Sequence, residues 1–230
     1  KKYSQKGIDK MLKRIFYPIG QGAFYAEKHE CNGVRFNVVY DCGTLSKMTI
    51  TKPIVENAFS SNDEIDILFI SHLDWDHISL IDTLRDNVKK IKHVILPLLS
   101  DYERLTLAIA NSSYHGEENY SDILSIYTKP EHFFDKSTHI TYVKPSSAEQ
   151  QLDPVNYDSL TENIESNTPI LINIGSYNWC YIPYVPTTNG NIDRKKKQLE
   201  KFISSKGYDL EKLKNNSDYL ISYITQTDTR

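Results

Sequence analysis

Between Ser71 and Ile78 the chain reads His72-Leu73-Asp74-Trp75-Asp76-His77, four potential metal ligands within six residues. Imidazole nitrogen combined with carboxylate oxygen suits zinc, manganese or iron at a hydrolytic site. Donors this closely spaced cannot all face one ion from a regular helix or strand. On a loop they splay, so that His72 and Asp74 serve one metal and Asp76 and His77 a second. Two adjacent metals would generate a hydroxide and clamp the attacking and leaving oxygens of a substrate. The plainer alternative makes Asp76 an N-cap of the helix that follows and leaves the histidines as loop residues.

The elements around this motif are those that could hold it. Ile65 to Ile70, IDILFI, is a nearly continuous apolar run of strand length, as expected for a strand covered on both faces. After the motif, apolar residues at positions 78, 80, 81, 84 and 88 have helical spacing. Upstream, Ile15 to Tyr25 reads as strand, glycine turn and second strand, with Gly20 and Gly22 supplying the bend. Val34 to Tyr40, VRFNVVY, is a β-branched and aromatic strand that runs into Asp41-Cys42-Gly43, read as a polar loop. Thr51 to Phe59 is read as a short helix, Val94 to Leu99 as a strand and Tyr102 to Ser112 as a helix. The stretch Tyr114 to Leu160 is polar and mixed, with a short strand at Ile140 to Val143. Ile170 to Ile174 and Trp179 to Val185 read as strands, Asp193 to Gly207 as a basic amphipathic helix with a glycine cap, and Tyr219 to Thr225 as a closing strand. Strands alternating with helices predict an α/β layered fold in a single domain over residues 1–230.

Composition narrows the function classes. Of 230 residues, 39% are hydrophobic and 25% charged, enough apolar surface for a core and unlike a disordered chain. A formal net charge of -3 gives no global basic footprint for nucleic acid. Three widely spaced cysteines, Cys31, Cys42 and Cys180, form neither a disulfide framework nor a CxxC clip and fit a reducing compartment. No apolar run has the length of a membrane-spanning helix, and KKYSQKGIDKMLKR lacks the apolar core of a signal peptide, so a cytoplasmic location is expected.

The motif resembles the signature of the metallo-β-lactamase superfamily, HxHxDH at the end of a strand and before a helix. Here Asp74 replaces the second histidine, giving HxDxDH, which is similar to the domains associated with DNA-uptake (competence) channels and their stand-alone relatives. Ile19-Gly20-Gln21-Gly22 followed by Val39-Tyr40-Asp41-Cys42-Gly43 resembles the "GQG…DCG" opening of that group. Asn215-Asn216-Ser217 before a strand resembles its later "NNxS" element. The resemblance implies an αββα sandwich with a metal site at one sheet edge, holding Zn2+, two ions or one, or Mn2+. His72 and Asp74 would hold the first metal and Asp76 and His77 the second. Asp76 would also act catalytically by orienting the attacking water, and Asp41 would support the ligands from behind.

The family also uses a later histidine, a bridging aspartate in a "GD" strand end and a final histidine. His115 is the internal candidate for the first of these, beside the reading of a solvated loop side chain, and no "GD" element follows before Arg230. The sandwich is therefore expected to be incomplete in its second half, with the sequence truncated or that half degenerate. The function expected is a metal-dependent hydrolase, phosphodiesterase- or nuclease-like, with a phosphodiester or nucleic-acid substrate. The alternative is a catalytically degenerate binding or regulatory module with a protein partner. Arg194-Lys195-Lys196-Lys197 is the basic cluster a phosphate backbone would need, and equally a solvated helix face.

Overall fold

The computed structural model describes residues 10–111, 120–146, 152–187, 192–215, 219–220 and 222–223. The chain opens with a meander, β1 (Lys10–Phe16), β2 (Gly22–Cys31) and β3 (Val34–Thr44), in antiparallel pairing. It then alternates strand and helix: α1 (Met48–Glu56), β4 (Glu64–Phe69), α2 (Trp75–Ile78), α3 (Ile81–Asn87), β5 (Lys90–Pro97), α4 (Asp101–Ala110), α5 (Tyr120–Thr128), α6 (Pro130–Phe133) and β6 (His139–Lys144). These are followed by β7 (Val155–Asn156), β8 (Asn163–Glu165), β9 (Ile170–Ile174), β10 (Tyr177–Tyr181), α7 (Ile192–Ser205) and α8 (Leu210–Asn215). The larger sheet has seven strands in the order β1-β2-β3-β4-β5-β6-β8, parallel from β3 onward. A three-stranded sheet, β10-β9-β7, completes the β structure.

Two cores lie on opposite faces of the larger sheet. On one face Ala26, Val39, Leu68, Val94 and Leu96 pack against Val55 of α1, Leu84 of α3, Leu105 of α4, Ile123 of α5 and Ile203 of α7. On the other, Phe36, Val38, Ile67, Phe69, Ile95 and Val143 meet Ile170, Ile172 and Ile174 of β9. The layers are thus helix, sheet and sheet, an α/β architecture with a large central sheet and three of the four layers of the expected αββα sandwich; the outward residues of the small sheet, Asn173, Asn178 and Cys180, are exposed. The apolar run of β4 is buried because each of its faces meets one of these cores, as a strand covered on both sides requires.

Several elements differ from the sequence reading. Asp41-Cys42-Gly43 is not a loop but the end of β3, paired to β2. The helix after β4 starts at Trp75, earlier than the apolar spacing suggested, so Asp76 and His77 are helical. α5 and α6 occupy part of the stretch that showed no clear pattern. In the closing segment the described residues, Tyr219, Leu220, Ser222 and Tyr223, are helical rather than extended. Leu220 and Tyr223, three apart, are both buried, and the Ser222 hydroxyl donates to the Tyr219 carbonyl at 2.8 Å. Aromatic and β-branched side chains fit a strand, but here one helical face buries Leu220 and Tyr223 against the α-side core.

Candidate metal centre

The acidic end of β3 and the segment after β4 meet at the carboxyl ends of the parallel strands, where layered α/β sheets place their ligands. Asp41 is the residue that aims them at each other. Tyr25 pairs with Tyr40 and Phe24 with Cys42, so Asp41 is the extra residue of a β-bulge. Its φ is 55°, a left-handed conformation that aspartate tolerates better than most residues. Bulges of this kind redirect a side chain out of the ladder. The Asp41 carboxylate, 1% exposed, accepts the Ser71 amide at 2.8 Å on Oδ1. Its Oδ2 accepts the Ser71 hydroxyl at 2.7 Å and His77 Nδ1–H at 2.8 Å.

Proton counting then fixes the second imidazole. The Ser71 hydroxyl has one proton and spends it on Asp41, so its oxygen is an acceptor toward His72 Nδ1 at 2.8 Å. His72 and His77 therefore both carry a proton on Nδ1, so that each ring in its neutral form presents the Nε2 lone pair. Their rings lie 3.9 Å apart, centroid to centroid. His72 Nε2 is 3.4 Å from Asp74 Oδ2, and His77 Nε2 is 3.8 Å from Asp76 Oδ2.

The backbone around the motif explains which side chains face out. Leu73 and Trp75 are buried while His72 and Asp74 are largely exposed, the in-out alternation of an extended segment. The Leu73 carbonyl accepts Tyr127 Oη–H at 2.9 Å, and Trp75 packs 5.8 Å from the Tyr120 ring, so Trp75 belongs to the core rather than to the site. Asp74 occupies the N-cap position of α2 without capping through its side chain, so the acid left for capping in the plainer reading is not Asp76. Asp76 and His77 project from the first turn, about a quarter and a fifth exposed.

Two glycines let α2 sit directly on the sheet. A Cβ at Gly43 would come within 2.4 Å of the Ile78 nitrogen and 2.5 Å of the His77 carbonyl carbon. At Gly22 it would lie 2.7 Å from the Asp76 carbonyl oxygen. The Leu80 amide donates to the Cys42 carbonyl at 3.0 Å, and Ser79 Oγ accepts the Thr44 amide at 2.9 Å. The glycines of the two opening segments thus act at a distance in sequence, by holding the backbone of Asp76 and His77 against β2 and β3. Cys42 is a buried thiol pushed well up by burial and by the Asp82 and Asp41 charges, a core group rather than a nucleophile.

Among the described residues no group of three or more His, Cys, Asp or Glu side chains stands ready around one point to hold a metal ion. The donors come as two histidine–carboxylate pairs. Their chemistry fits a divalent ion: neutral imidazoles with Nε2 outward, carboxylates beside them, and a buried carboxylate behind one ring. His115 lies outside the described residues, as do Asn216 and Ser217. In the basic run, Arg194 to Lys197 fall in α7, where Lys197 is exposed. No helix among the described residues is long and apolar enough to cross a membrane.

Sequence reasoning missed a second cluster. Glu27 and His29, on β2, are buried between the sheets. Glu27 accepts Arg14 Nε–H at 2.9 Å, Tyr25 Oη–H at 2.6 Å and Tyr181 Oη–H at 2.5 Å. His29 Nε2 faces Tyr181 Oη at 3.0 Å and Glu27 at 3.3 Å, so its Nδ1 accepts the Tyr177 hydroxyl at 2.6 Å. Alternation of charge along β2 was the only sign in the sequence, and it reads as a solvated strand face until β10 is known to cover it.

No family model and no curated protein matches the chain. Among solved structures it is similar to a Thermotoga maritima protein described as "a putative metallo-beta-lactamase", at 19% identity and a TM-score of 0.28. That match covers 64% of this chain and 60% of the other, so it spans less than two thirds of the neighbour's length.

Proposed function

We propose that this chain is a metal-dependent hydrolase acting on a phosphodiester or related ester, with His72, Asp74, Asp76 and His77 as metal ligands. The observation that carries the reading is the Asp41–Ser71 relay, which holds the Nδ1 atoms of both His77 and His72 and turns both Nε2 lone pairs outward. A buried carboxylate orienting a ligand histidine is how metal sites fix tautomer and raise ligand basicity. A divalent ion held by these residues, zinc or manganese, would supply a water ionisable near neutral pH and positive charge for the substrate oxygens. Asp41 keeps the His77 proton on Nδ1, and Ser71 does the same for His72. Asp76, on the first turn of α2 and 3.8 Å from His77 Nε2, would orient the attacking water.

The test is metal content of the purified chain by elemental analysis, beside the His72→Ala/Asp76→Ala double variant. Bound zinc or manganese that disappears in the variant, with chelator-sensitive hydrolysis of bis(p-nitrophenyl) phosphate, is the expected result. Absence of metal from both proteins would remove the reading. One observation favours a second reading, a binding or regulatory module of the same fold: the donors form two pairs rather than a group of three. Metal uptake with no hydrolysis of any ester tested would select it.

A further inference from the structure

Beside the candidate centre a cavity of about 310 Å³ opens between the two sheets, at the ends of β4, β5 and β6. Ser71, whose hydroxyl links Asp41 to His72, is part of its wall, so cavity and centre are contiguous. Its lining contains no charged side chain. What it offers instead is ring surface: Tyr25, Tyr40, Phe69, Tyr181 and Tyr184, with aliphatic residues between them.

Two features make this a built wall rather than a gap. First, the Tyr25 and Tyr181 hydroxyls are both committed to the buried Glu27 carboxylate, which leaves their rings fixed. Tyr40, Phe69 and Tyr181 continue as a chain of rings, with centroids 6.2 and 5.4 Å apart. Second, the mouth exposes large apolar side chains: Tyr40 is 45% exposed, Ile182 59% and Tyr184 62%. Contiguous exposed apolar surface around a concave site marks a ligand-binding region.

We infer that this cavity takes a neutral aromatic group of the substrate, an aryl ring or a nucleobase, while its ester linkage reaches the centre past Ser71. The inference rests on the hydrolase reading for the role of that group, and on the cavity alone for its chemistry. A lining without cations gives no purchase to a phosphate or carboxylate, so the charged part of the substrate belongs outside it. Fixed tyrosine and phenylalanine rings favour another ring over an alkyl chain, because offset and edge-on contacts add to area burial. The size agrees: an apolar cavity of about 150 Å³ already admits benzene, so there is room here for a substituted or fused ring.

The probe is 4-nitrobenzyl alcohol, with cyclohexylmethanol as the non-aromatic control, titrated into the full chain by saturation-transfer NMR and calorimetry in the presence of chelator. Saturable binding of the aromatic alcohol, tighter than that of the control, is expected without metal. Tyr184→Ala and Ile182→Asp, both at exposed positions that leave folding intact, are each expected to weaken it roughly threefold to tenfold. No saturable binding, equal affinity for both alcohols, or binding that neither variant changes would overturn the inference. Because the readout needs neither metal nor turnover, a chain that binds the probe but takes up no metal would defeat the hydrolase reading and leave the cavity assignment standing.

Discussion

Among the described residues two buried carboxylates, Glu27 and Asp41, each hold a histidine, and they serve opposite ends. At Glu27 every polar atom of the pair is spoken for: both His29 nitrogens meet protein groups, and the ring is 1% exposed. Burial depresses the His29 pKa in spite of the neighbouring carboxylate, so the ring stays neutral and serves as a hydrogen-bonding strut between β2 and β10. At Asp41 the carboxylate is as deeply buried, but only Nδ1 of His77 is used and the imidazole remains about one-fifth exposed. His72, held through Ser71, is nearly half exposed. The same residue types make a closed structural joint in one place and an open donor array in the other. The difference is which elements cover them: a strand with two tyrosines lies over His29, whereas His77 projects from its own short helix with the far edge of its ring uncovered.

The largest effect expected from breaking this contrast is at Glu27. Glu27→Ala removes the partner of Arg14, two tyrosine hydroxyls and His29, and should cost about 3–5 kcal/mol in denaturant unfolding. Metal content of the protein that remains folded should not change. Asp41→Asn reverses the pattern. Asparagine tolerates the left-handed backbone at φ 55°, so stability should fall by about 1–3 kcal/mol. Metal affinity should drop roughly 10–100-fold, because the amide has one acceptor oxygen and its NH2 must face either the Ser71 amide at the Oδ1 position or the Ser71 hydroxyl and His77 at the Oδ2 position. If Asp41→Asn changed stability alone, the two histidine–acid pairs would be equivalent and the contrast would fail.

Gly43→Ala tests the positioning of α2 without touching any donor. Its new methyl would collide with the Ile78 nitrogen, so a loss of about 1–3 kcal/mol is expected, with a matching loss of metal binding as Asp76 and His77 shift. The smallest effect concerns another histidine, His93 on β5. Burial and the neighbouring His139 lower its pKa from 6.5 to about 4. The unfolded chain therefore binds the proton first, and stability present above about pH 6.5 is lost as the pH falls toward 4. His93→Gln should flatten the fall of Tm across that window, by an amount corresponding to about 1 kcal/mol. An unchanged pH profile would assign the loss to other groups.

Part of this arrangement could be read in advance. IDILFI gave a strand buried on both sides because unbroken apolarity has few other uses at that length. The four donors after it were visible as a set because their types are costly to cluster without a ligand. Asp41 was expected beside the site, but in a loop. Its bulge depends on how β3 registers against β2, and pairing partners are not encoded within one strand. α5 went unread because its apolar face, Ile123, Leu124 and Tyr127, alternates with polar residues in a stretch without a clear period. Tyr219 to Thr225 was read as a strand because its side chains suit one, and burial of Leu220 and Tyr223 on a single helical face decided otherwise.

Residue types and their local spacing set the chemistry on offer: two imidazoles and two carboxylates after a buried strand, with permissive glycines upstream and no net positive charge. Those are local properties, carried by residue type and by spacing of a few positions. Tertiary structure alone decided which lone pairs point outward, which glycines lie under α2, and that a ring-lined cavity without charge opens beside Ser71. Each of these joins residues tens of positions apart, and only the packing of sheet on sheet and helix on sheet brings them within hydrogen-bonding or van der Waals reach.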